Sequence, residues 1–139
     1  MQIREIILTE LYTAYEILQH EKEEISYKEF EDLVYEMKKE NYKIITLIDD
    51  NRATTYAGIK IETNLKYKKH LHIYELISIK DKKNLQYTME MLSYLIDFAK
   101  MNLCKNILFS FNESDSELNL SIIKNGFQKA ESLYIKEVK

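Results

Sequence analysis

Apolar positions in the first forty residues change period twice. Ile3, Ile6, Ile7 and Leu8 cluster around Arg4 and Glu5 as a short opening strand. From Leu11 the spacing lengthens: Leu11, Ala14, Tyr15 and Leu18 fall at i, i+3, i+4 and i+7, which predicts a helix capped by Thr9. The charged stretch 20–24 reads as a loop. Ser26-Tyr27-Lys28-Glu29 is a capping-box sequence, in which hydroxyl and carboxylate each satisfy an orphan N–H. Phe30, Leu33, Val34 and Met37 then supply the buried stripe of a second helix.

Beyond residue 41 the period shortens to that of strands. Residues 42–48 are rich in β-branched side chains and end at the turn Asp49-Asp50-Asn51; residues 53–65 and 71–79 form two further strands around a polar turn at 66–69. Gly58, inside the second of these, marks a bulge or a close backbone approach. Leu85, Met89, Leu92, Leu95, Ile96 and Ala99 keep helical spacing over 85–102, and Met91, Tyr94 and Phe98 widen the stripe, so this helix should be largely buried. A strand over 106–111 follows. Ser114-Asp115-Ser116-Glu117 opens a fourth helix that runs to Lys124 and ends at Asn125-Gly126, and residues 132–138 close the chain as a strand. The order β-α-α-β-β-β-α-β-α-β predicts one α/β domain over 1–139, with a mixed, mostly antiparallel central sheet and helices on both faces.

Composition narrows the function classes. Of 139 residues, 45% are hydrophobic and 31% charged, which is globular rather than disordered. Two Gly and no Pro exclude collagen-like, Pro-rich and flexible-linker chains, and leave little from which to build a glycine-rich phosphate loop. A net charge of -3 gives no global reason to expect nucleic acid or an anionic membrane as partner, and Glu75 and Asp81 dilute the basic stretch 66–83. Cys104, the sole cysteine, permits neither an intrachain disulfide nor a cysteine-based zinc site, so a reducing, cytoplasmic setting is expected. No apolar run reaches the ~20 residues of a membrane span.

The element order and three stretches resemble the GCN5-related N-acetyltransferases (GNAT), which move an acetyl group from acetyl-CoA to an amine. Tyr56-Ala57-Gly58-Ile59-Lys60-Ile61 resembles the family's third strand, and residues 70–79 its fourth, which splays from its neighbour to receive the cofactor's pantetheine. Residues 91–100 (MLSYLIDFAK), the strand from Asn106 and the ending Lys124-Asn125-Gly126-Phe127 resemble its buried helix, next strand and K-x-G-F ending. The resemblance implies the acyl-CoA N-acyltransferase fold, acetyl-CoA as co-substrate and an amine-bearing acceptor as partner, with a homodimer permitted.

It also implies a site. Glu75 matches an acidic position of the fourth strand whose carboxylate takes the ammonium proton, and Leu76, Ile77 and Ile79 would line the pantetheine. The family's phosphate loop, Arg/Gln-x-x-Gly-x-Gly/Ala, falls on Lys83, Asn84, Leu85, Gln86, Tyr87 and Thr88. Lys83 keeps the cation, but Gln86 and Thr88 stand where glycines let backbone approach phosphate. The tyrosine that protonates the departing thiolate falls at Ile122, with Ser121 and Tyr134 the nearest hydroxyl candidates. Two functions follow: an N-acetyltransferase with a divergent phosphate loop, or a catalytically silent binding or regulatory protein of the same fold. His70 and His72 share one strand face at i, i+2, but the sequence offers no evident third ligand; no metal is expected, and either ring could be an auxiliary base. The acidic helices read as solvated faces that could border a cationic acceptor.

Overall fold

A computed structural model describes residues 1–21, 24–110 and 116–139. Its elements are β1 (Gln2–Glu5), α1 (Leu11–Leu18), α2 (Tyr27–Lys38), β2 (Lys43–Asp49), β3 (Arg52–Asn64), β4 (Lys68–Ser78), α3 (Asn84–Met101), β5 (Asn106–Phe109) and α4 (Ser116–Lys124). The five strands lie in chain order, antiparallel from β1 to β4, while β5 joins β4 in parallel across the α3 crossover.

Strand alternation sends side chains to two cores. Ile45, Leu47, Ala57, Ile59, Leu71 and Ile73 face α3 and α4, where Met91, Leu92, Leu95 and Ile122 are buried. Burying each such side chain contributes about 1.5–3 kcal/mol. Ile44, Tyr56 and Ile77 face the other way, onto Leu11, Ala14, Phe30 and Val34 of α1 and α2. Helices therefore cover both faces of the mixed sheet, as the pattern predicts. No helix among the described residues is long and apolar enough to cross a membrane.

Few glycines do not mean few special backbone positions. Asn41, Asp50, Asn51, Lys68 and Leu103 take positive φ, and Asp50-Asn51 form the two-residue β2–β3 turn between the paired Asp49 and Arg52. Asp and Asn serve there because their short polar side chains tolerate the left-handed region. Gly126, at φ 91, ends α4 as predicted.

Three local expectations change. Thr9 caps nothing: the chain makes a 3-10 turn over Leu8–Glu10, and Glu10 takes the capping role by accepting from the Ile7 N–H (3.0 Å) and pairing with Arg4. Ser26 does cap α2, accepting the Glu29 N–H at 3.1 Å. The closing strand over 132–138 does not form; Leu133, Tyr134, Ile135 and Val138 are exposed and the segment is irregular. Apolar content alone cannot make a strand, which needs a neighbouring edge for its N–H and C=O groups, and no described strand pairs with this segment. Ser114 and Asp115 of the expected capping box lie outside the described residues.

Candidate active site

β5 accompanies β4 for four pairs only, from His70↔Asn106 to Ile73↔Phe109. At that level the β3–β4 register also shifts: Gly58 faces Glu75 while Ile59 faces Ile73, leaving Tyr74 as the extra residue of a bulge. A bulge bends its strand and increases its twist, and the described β4–β5 pairing ends just before this one. Residues 75–78 then pair with β3 alone among the described residues. Their other edge pairs with no described strand, and at its far end the Ser78 carbonyl accepts from the Asn84 amide.

Glu75 stands at the start of this opening, half-buried. The Tyr42 hydroxyl donates to Glu75 Oε1 and lies 2.7 Å from the Tyr56 hydroxyl. Burial, more than the neighbouring Glu75 charge, raises the pKa of both tyrosines, so both stay protonated and the pair orients the carboxylate. This convergence needs Gly58. A Cβ there would fall on Glu75 Oε1 and the Tyr42 hydroxyl, and 2.7 Å from Tyr42 Cζ. Gly58 is thus both a bulge residue and a close approach. Sequence reasoning missed Tyr42 and Tyr56, because nothing local ties Tyr42 to Tyr56, 14 positions on, or to Glu75, 33 positions on.

The far end of β4 meets the start of α3. The Asn84 amide donates to the carbonyls of Ser78 (3.1 Å) and Ile79 (2.8 Å), which ties helix to strand. Thr88 turns inward: it is buried, donates to the Asn84 carbonyl at 3.0 Å and shares a 2.8 Å hydroxyl–hydroxyl bond with Ser78. Its Cβ belongs to the packing between helix and strand, whereas the Gln86 side chain is exposed on the first turn. Tyr87 is buried and donates to Asp49 at 2.8 Å. Asp81 takes two N–H groups here, that of Lys83 on its carboxylate (2.9 Å) and that of Asn84 on its carbonyl (3.0 Å). Those of Leu85 and Gln86 meet no acceptor among the described residues.

The cations at this end divide between two clefts. Lys80 and Lys82 line the larger, about 720 Å³, with Ser78, Asn84, His20 and Glu21. Lys83 lines the smaller, about 410 Å³, where its ammonium lies 3.8 Å from Asp49 and Arg52 pairs with Asp81 at 3.1 Å. Leu76 and Ile79 are half-buried against the α3 core, and Ile77 is buried on the opposite face. On the thiolate side Ile122 is buried in the core, the Ser121 hydroxyl donates to the Glu117 carbonyl at 3.1 Å, and Tyr134 is exposed. Neither hydroxyl is brought to Glu75. His70 and His72 lie on the β3–β4 hairpin with Glu62 beside them. Cys104 is half-buried, its thiol pKa raised by burial.

No family model and no curated protein sequence matches the chain. Solved structures match it along its length. It is similar to an aminoglycoside antibiotic 6'-N-acetyltransferase from Acinetobacter haemolyticus, with a TM-score of 0.78 at 13% identity over 100% of this chain and 99% of that one. A GNAT family acetyltransferase from Staphylococcus aureus gives a TM-score of 0.72 at 16% identity, covering 99% and 98%. A transcriptional regulator from Bacillus halodurans gives 0.81 at 15%, covering 98% and 99%. The chain has the GNAT acyltransferase fold.

Proposed function

We propose that the chain is an acyl-CoA-dependent N-acetyltransferase, moving an acetyl group from acetyl-CoA to an amine by direct aminolysis of the thioester. The observation that carries this is the coincidence of three features on one strand. The described β4–β5 pairing ends at a bulge in β4, Glu75 stands at that bulge, and the strand ends against the N-terminus of α3.

The residues present fit the co-substrate. The edge of β4 away from β3, with Leu76, Ile77 and Ile79, would hold the pantetheine as an added strand. The Leu85 and Gln86 N–H groups, the α3 dipole and Lys80, Lys82 and Lys83 would hold the pyrophosphate. Asn84, Tyr87 and Thr88 keep the helix start in place through their bonds to Ser78, Ile79 and Asp49. When bound, acetyl-CoA supplies an activated acetyl group at the bulge. Glu75, oriented by Tyr42, accepts the proton of the acceptor's ammonium and leaves a nucleophilic amine. Ile122 offers the departing sulfur no proton, and a thiol of pKa about 8.5 can leave without one near neutrality.

A silent binding protein of the same fold is the second reading, favoured by the pairing of Lys83 with Asp49 and by Ile122. Calorimetric titration with acetyl-CoA and CoA, followed by thiol release with an amine panel, separates the two. Binding with release abolished by Glu75→Gln supports the enzyme; binding with no Glu75-dependent release supports the silent protein. Absence of binding refutes both. Lys83→Ala should weaken CoA binding by about 1 kcal/mol, as for a lost charge-assisted contact. Unchanged affinity would move the phosphates to Lys80 and Lys82.

A further inference from the structure

We propose that Glu62, His70 and His72 form a binding site for a divalent transition-metal ion, zinc by preference. The hairpin register sets Glu62 of β3 directly opposite His70 of β4, with His72 two pairs further on, opposite Lys60, so the three share one sheet face. One ligand atom from each lies within 4.8 Å of the others. His70 Nε2 is 3.7 Å and His72 Nδ1 3.3 Å from the same oxygen, Glu62 Oε1. Tetrahedral zinc with bonds of 2.0–2.1 Å holds neighbouring ligand atoms about 3.4 Å apart. Two edges of the triangle, at 3.3 and 3.7 Å, lie close to that length.

The hydrogen bonds favour the liganding state of His70. Its ring is buried, 1% exposed, and its Nδ1 sits 2.8 Å from the Lys68 carbonyl. A carbonyl only accepts, so Nδ1 carries a hydrogen and Nε2 is the ring nitrogen that faces Glu62. Imidazole bonded through its other nitrogen to a backbone carbonyl is also the usual outer-shell arrangement at a metal. The His72 ring is also positioned, with Nε2 3.4 Å from the Ser110 hydroxyl and the ring stacked on Tyr74 at 3.8 Å. The Tyr74 hydroxyl donates to Glu62 Oε1 at 2.8 Å, and the Lys60 ammonium is 3.7 Å from Oε2. Two imidazoles with one carboxylate suit zinc, cobalt, nickel or copper, whereas magnesium and calcium take all-oxygen shells.

The test uses the full chain, stripped with chelator and titrated calorimetrically with Zn²⁺ alone, then with Co²⁺ alone while its visible absorption is followed. One ion per chain and the intense cobalt absorption of low coordination number are expected. His72→Ala and Glu62→Gln, both partly exposed positions, should each weaken binding at least about tenfold, with circular dichroism unchanged. His20→Ala and Cys104→Ser should bind as the parent does. The proposal is overturned if the parent takes up no ion. It is equally overturned if His72→Ala and Glu62→Gln bind zinc as tightly as the parent.

Discussion

Replacing Gly58 by alanine tests the arrangement around Glu75, because its sign is decided by one contact. Gly58 does not have a positive φ, so alanine is conformationally acceptable there. In open space the change would stabilise by about 0.4–1 kcal/mol through the unfolded chain. Here the added Cβ falls on Glu75 Oε1 and the Tyr42 hydroxyl, with the Tyr42 ring carbon Cζ at 2.7 Å. Tyr42 is 3% exposed and cannot swing into solvent. Either the core takes up the strain, at about 1–3 kcal/mol, or Tyr42 withdraws and loses its charge-assisted bond, at about 1.5–3 kcal/mol. A net destabilisation of about 2 kcal/mol follows. With a urea m-value of about 2 kcal/mol/M, the midpoint falls by about 1 M. Urea denaturation by circular dichroism measures this, alone and in a Tyr42→Phe background. Coupled sites should give a non-additive double variant, by about 0.5 kcal/mol or more. A Gly58→Ala protein as stable as the parent, or strictly additive with Tyr42→Phe, refutes the packing of Tyr42 and Glu75 over Gly58.

Three further outcomes are expected. Thr88→Val should cost about 1 kcal/mol in chemical denaturation, since it removes the bonds to Ser78 and the Asn84 carbonyl while Ser78 keeps Thr55 at 3.1 Å; a neutral result would mean that Thr88 is not turned inward. The Arg4 guanidinium, then the Ile7 N–H, hold the Glu10 carboxyl down from 4.5 to about 2. Because the folded value is depressed, its stabilisation is present above pH 4.5 and fades toward pH 2. At this partly exposed pair Glu10→Gln should cost about 1 kcal/mol at pH 7, with the gap closing by pH 2; a gap independent of pH would refute the pairing. Ending the chain after Glu131 removes Leu133, Tyr134 and Ile135, each over 90% exposed, and should change stability by less than about 0.5 kcal/mol. A larger loss in thermal melts would show that this segment packs.

Short-range chemistry accounts for most of what could be read from the residues. The spacing of Leu85, Met89, Leu92 and Leu95 specifies α3, because its interactions span one turn of helix. Ser26 marks α2 and Asp50-Asn51 mark a turn for the same reason: donor, acceptor and backbone preference all lie within four residues. Thr9 fails as a cap because Arg4 gives Glu10 a stronger partner across the chain. The apolar segment at 132–138 fails as a strand because pairing needs an edge, and the segment cannot carry that information itself.

The site residues differ in the same way. Glu75 and Lys83 were marked only through a family resemblance, whereas their surroundings come from strand register. Register sets Glu75 against Gly58 and lets Tyr42 reach it from β2; it sets Glu62 against His70 and supplies the third group that two histidines on one strand lack. It also turns Thr88 inward and sends Lys83 toward Asp49 instead of Lys80 and Lys82. Periodicity and caps thus fix which elements form, since those energies are local. Which side chains converge on one carboxylate or around one ion depends on contacts between distant residues, and these exist only once the sheet has closed.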